Sequence, residues 1–86
     1  MKHARSDYNS IQDASGRIPE DEPVFLIRAR DIVGPGIVRE HGFRAQRAGA
    51  DATIVRAILA QADAMAKYAE ANGGYKIPDM PADAEQ

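Results

Sequence analysis

The sequence predicts a mainly α protein: a two-helix hairpin preceded by a short extended or strand segment and an N-terminal arm, assembling as a homo-oligomer. Three observations carry this reading. "GPG" at 34–36 breaks the chain ahead of one apolar periodic run. Asp51 and "NGG" at 72–74 bracket a second, longer one. Before both, "IPEDEPVFLIRARD" (18–31) sets the most hydrophobic run between a block of acid and a block of base.

Residues 1–17 are a polar arm. Asp7, Asn9, Ser10, Asp13, Ser15 and Gly16 favour turns and caps over a long helix. Tyr8 and Ile11 stand three apart, so one helical turn brings them together. Residues 18–80 form a single small domain, starting with an extended segment at 18–33. Pro19 and Pro23 keep its first part extended, because each disfavours helical geometry in the residue before it. "VFLIRARDIV" is rich in β-branched residues, which favours a strand over 24–30. Alternation makes Phe25, Ile27 and Ala29 the buried side. A helix starting at Pro23 is the competing assignment.

Pro35 opens a helix over about 35–48, ended by Gly49. At 100° per residue Ile37, Val38, His41, Ala45 and Ala48 share an apolar stripe, with Gly42 beside them. A second helix over about 52–71 is capped by Asp51. Its apolar stripe is Ile54, Val55, Ile58, Leu59, Ala62, Met65, Ala66 and Ala69. Asp63 and Lys67 make an i,i+4 pair on the outer face. Ala57, Ala60, Ala64 and Ala71 make a small-residue face suited to another subunit or simply to helix propensity. Tyr75, Ile77 and Met80 clip the following segment onto the body, and 81–86 is a disordered tail. One strand makes no sheet, so its partner comes from the arm, the tail or another chain. Two apolar helix faces make a thin core, which points to a homo-oligomer.

Composition excludes several classes. The chain has 86 residues and no cysteine, so disulfides and thiolate metal sites are out. No apolar run is long enough for a membrane span, and a cytoplasmic protein is the default expectation. The net charge of −2 argues against general DNA binding. His3 and His41 lie in no metal-ligand spacing, and no nucleophile elbow, P-loop or dinucleotide fingerprint is present. His41 reads as a packed histidine. Catalytic residues, metal and cofactor are therefore all expected to be none.

Charge distribution is more informative. Residues 23–56 carry six arginines against Asp31, Glu40 and Asp51, while both flanks are acidic. Arg39, Phe43 and Arg47 fall on one helix side, a flat ring between two guanidinium groups. Arg44 flanks them at 100°, Arg28 and Arg30 approach from the preceding segment, and Tyr8 offers a second ring. Guanidinium groups with an aromatic plane suit a phosphate that carries a base. The same residues suit a subunit contact in which the arginines meet Glu20–Asp21–Glu22 of a neighbour.

"IPEDEPVFLIRARD", "VREHGFRAQRAGAD", Met65 and the closing Lys76–Asp79 together resemble a group of short bacteriophage and prophage proteins. Where those carry tryptophan in the first helix and late in the second, this chain has His41–Gly42 and Tyr68. The group has no established catalytic residues, so the resemblance transfers none. It implies an anti-defence role in the cytoplasm of an infected bacterial host. One such role is sequestration of a nucleotide immune signal, a cyclic oligonucleotide or a cyclic ADP-ribose type, between subunits. The alternative is a protein-binding inhibitor or adaptor acting on a host defence protein.

Overall fold

Asp51 opens the longest element. Its carboxylate accepts a hydrogen bond from the Thr53 amide at 2.7 Å, satisfying one of the donors that a helix start leaves bare. From there α2 runs over Ala52–Ala71, the span expected. It ends at Asn72, and Gly73 follows with φ +94°, a conformation that side chains rarely adopt. The shorter helix, α1, covers Gly34–Arg47, one residue earlier at each end than expected. The computed structural model describes residues 1–79. The expected docking of Met80 and the tail at 81–86 lie outside the described residues.

The chain folds as two units. One is Ile27–Pro78 and contains both helices. Arg39 reaches Asp63 at 2.9 Å, and Gly42 sits against Ile58 and Leu59. Residue numbers fall on α2 as they rise on α1, so the pair is an antiparallel hairpin. A Cβ on Gly42 would lie 2.7 Å from Leu59 Cδ2 and 3.1 Å from Ile58 Cγ2. Glycine thus sets how closely the helices approach. Val55, Ala62, Met65 and Ala69 are buried along the seam, with Val38, Ala45, Ile58, Leu59 and Ala66 half-buried.

This geometry corrects the expected stripe of α1. The seam is centred on Gly42, with Val38 and Ala45 one turn to either side. Ile37, His41 and Ala48 rotate outward and are exposed, so His41 is not a packed histidine. Asp63 pairs with Arg39 across the seam instead of with Lys67 along its own helix. Ile54, counted in the apolar stripe of α2, is 50% exposed.

Segments before and after the hairpin close this unit. The Arg30 guanidinium donates to the Gly74 carbonyl at 3.0 Å. The Lys76 amide donates to the Arg30 carbonyl at 2.8 Å, and the Ile32 amide to the Lys76 carbonyl at 2.9 Å. Asp31 and Lys76 are thereby bridged in parallel. Tyr75 and Ile77 are exposed, so backbone hydrogen bonds hold this segment where apolar clips were expected.

The other unit contains Met1–Leu26 together with Asp79. Here β1 (Lys2–His3) pairs in parallel with β2 (Pro23–Val24), so the partner strand comes from the arm. The expected strand over 24–30 is cut to this two-residue ladder. The arm pairs through only two residues, Lys2 and His3, and among the described residues 25–28 join no ladder. Phe25, expected to be buried, is 73% exposed, lying just past the end of the ladder. A 3-10 turn at Ser6–Tyr8 follows β1, and the Ile11 amide donates to the Tyr8 carbonyl at 2.9 Å. Asp13 organises the loop to Ile18: its carboxylate accepts from the Ser15 hydroxyl and from the amides of Ser15, Arg17 and Ile18.

Candidate binding surface

Helical spacing places Arg39, Phe43 and Arg47 in one row on α1, each four residues from the next. The row lies on the flank of the seam marked by the Arg39–Asp63 pair. Phe43 is 40% exposed, which leaves ring surface accessible between the two arginines.

The cations of this row are partnered but not buried. Arg44 Nε donates to Glu40 Oε1 at 2.9 Å, and Arg47 Nη2 lies 3.5 Å from the same oxygen. Both arginines are in the last turn of α1, where positive charge also complements the helix dipole. The hydrogen bond from Arg44 holds the Glu40 carboxyl below the usual carboxylate range, aided by the charges of Arg44 and Arg47. Two carboxylates, Glu40 and Asp63, thus face three arginines, Arg39, Arg44 and Arg47. The surface keeps a positive surplus.

Of the remaining candidates, Arg30 and Tyr8 are engaged by their own surroundings. The Arg28 side chain is exposed, while its carbonyl lies where a Cβ on Gly34 would come within 2.6 Å. Arg30 is half-buried and directed at Gly74. Tyr8 belongs to the other unit, where the Arg5 guanidinium covers its ring at 4.5 Å from the centroid. His3 meets the same ring edge-on at 6.4 Å. His3 Nε2 donates to the Ile11 carbonyl at 2.6 Å, leaving Nδ1 buried without a partner.

A cleft of about 520 Å³ in the Met1–Leu26 unit is lined by Met1, Gln12, Asp13, Gly16, Ile18, Pro19 and Glu20. Two of its polar side chains serve the fold: Gln12 donates to the carbonyls of Met1 and Asn9, and Asp13 holds its own loop. The sequence signal for this arrangement was Asp13 two residues before Ser15, a turn signature. Among the described residues, no three His, Asp or Glu side chains form a group that could hold a metal ion. None of the described helices is long and apolar enough to cross a membrane. No family model, curated protein or solved structure matches the chain.

Proposed function

We propose that the chain is a non-catalytic binding protein that takes up a phosphate-containing nucleotide on the charged flank of α1. The observation that carries this is the Arg39–Phe43–Arg47 row, with an accessible ring between two guanidinium groups. Planar guanidinium forks match phosphate oxygens two at a time, and a base stacks on an aromatic face. The ion pairs to Glu40 and Asp63 are exposed, and such pairs contribute little, so a phosphate displaces them readily. Arg28 is exposed, and Arg44, released from its exposed pair with Glu40, adds to the anion contacts. Resemblance to short phage proteins supports the class of ligand, a cyclic oligonucleotide or a cyclic ADP-ribose type. It also supports the role, sequestration of an immune signal in an infected bacterium.

The test is depletion. The protein is incubated with each candidate nucleotide and filtered, and the retained fraction is heated and chromatographed. Intact recovery is expected, and the double variant Arg39→Ala/Arg47→Ala loses it. No depletion of any candidate ends the reading, and recovery of cleaved product replaces it with an enzyme. Exposed Phe43 favours a second reading, since phenylalanine and arginine are enriched at protein interfaces. In that reading a host defence protein docks on the row, and Phe43→Ala abolishes its pull-down without changing the oligomeric state.

A further inference from the structure

The side of α2 turned away from its charges carries a heptad. Ile54, Ala57, Gln61, Ala64, Tyr68 and Ala71 follow one another at alternating steps of three and four, and all six are exposed. Ile54 is 50% exposed and Tyr68 56%, unusual for large apolar groups on one helix side. The four charged residues of α2 are Arg56, Asp63, Lys67 and Glu70. At 100° per residue each lies about 90° or more from the axis of the stripe. On α1, Ile37 and His41 lie about 160° from Arg39, although Arg44 stands one heptad from Ile37 on that side. A 3.5-residue repeat on an exposed, uncharged side is the pattern of a seam between helices.

The order of sizes along the stripe identifies the other helix. Large and small alternate: Ile, Ala, Gln, Ala, Tyr, Ala. In a parallel pairing Ile54 meets Ile54 and Tyr68 meets Tyr68, separated by layers of alanine on alanine, which leave voids. In an antiparallel pairing with a second copy, Ile54 faces Ala71, Ala57 faces Tyr68, and Gln61 faces Ala64. Every large side chain then meets a small one, the condition for interdigitated packing. The match is self-complementary, as a two-fold interface requires. The six positions span about 26 Å of helix. Alanine at alternate layers lets the axes approach to the close end of helix spacing.

We infer that α2 forms an antiparallel homodimer seam through Ile54, Ala57, Gln61, Ala64, Tyr68 and Ala71. A second copy is the occupant because the size pattern complements itself and because this chain's own core is small. Among the described residues the buried side chains of α2 are Val55, Ala62, Met65 and Ala69, two of them alanines, and chains of this length commonly complete a core by oligomerising. Gln61, polar and near the middle of the stripe, fixes the register at some cost in affinity. The seam lies on the opposite flank from Arg39, Phe43 and Arg47, so it does not rest on the nucleotide reading.

Sedimentation equilibrium across a concentration series tests the association. The wild-type chain is expected to dimerise. Ala64→Glu, at an exposed position, weakens dimerisation by roughly a hundredfold or more with its helical circular dichroism unchanged. Gln61→Leu tightens it. Cysteines then read the direction, since the chain has none of its own. Mixed Ile54→Cys and Ala71→Cys chains give a heterodisulfide on oxidation, and neither variant crosslinks alone. A monomer at all concentrations, a dimer indifferent to Ala64→Glu, or self-crosslinking by Ile54→Cys overturns the inference. Should Ala64→Glu fail to fold, the cysteine pair decides.

Discussion

Val55, Ala62, Met65 and Ala69 are buried in the helical unit, whereas no residue of Met1–Leu26 is buried. The first unit is held by polar atoms instead. Asp13 accepts from three amides and a hydroxyl, Gln12 donates to two carbonyls, and Arg5 is bonded to Asp7 while covering Tyr8. Packing depends on volume and is indifferent to pH. A carboxylate network depends on its charge. The two units of one chain therefore fail for different reasons.

Volume and charge at the seam have the largest expected effect. Ala62 has no exposed surface, and Ala62→Asp leaves a carboxylate there without a partner. The cost is on the order of 4 kcal/mol or more, comparable with the whole stability of a small domain. Helical circular dichroism should collapse. If it does not, the seam is not what holds the helices.

Next is the start of α1. A Cβ on Gly34 lies 2.6 Å from a backbone oxygen, which cannot swing aside as a side chain can. Gly34→Ala should cost about 1–3 kcal/mol by overpacking. Gly36→Ala is its control. Nothing lies within 4 Å of a Cβ there, so it should stabilise the helix by about 0.5–1 kcal/mol. Urea midpoints that move in the same direction for both would refute the close approach at Gly34.

Asp51→Ala removes the cap of α2 and should cost about 1 kcal/mol, read from the same denaturation curves. The smallest effect is confined to the first unit. The Ser15 hydroxyl, then the Ile18, Ser15 and Arg17 amides, hold the Asp13 carboxyl below the usual carboxylate range. Folding lowers this pKa, so the stability it confers is full at neutral pH and is lost as the pH falls through the folded value. Acid titration followed by amide NMR should move Ser15, Arg17 and Ile18 while the helical signal stays. Simultaneous loss of both would deny the separation.

Legibility in the sequence follows the same division. The bounds of α2 were readable because local chemistry sets them: a capping aspartate, a stop of asparagine and two glycines, and 20 residues of strong periodicity between. The rotation of α1 was not. It depends on Gly42 meeting Leu59, a contact between residues far apart in sequence, which hydropathy alone scores as neutral. The same contact moved His41 and Ile37 outward. The strand is shorter than β propensity over 24–30 implies, because propensity says nothing of how many partner residues the arm supplies, which is two. The row Arg39–Phe43–Arg47 was legible from spacing, but its counter-charges were not. Glu40 is local, whereas Asp63 comes from the other helix. Residue type alone marks Tyr8 and Arg30 as binding groups, whereas the structure commits one to Arg5 and the other to Gly74.

The bridge between Asp31 and Lys76 has a practical consequence. It brings the incoming and outgoing strands of the helical unit side by side, so the polypeptide enters and leaves through one doorway. Adjacent ends are the geometry that insertion into a surface loop of an unrelated carrier requires. The ends of the helical unit can also be joined by a short linker and the chain reopened at the exposed turn around Gly49. In such permutants Arg39, Phe43 and Arg47 would travel together, since α1 stays in one piece.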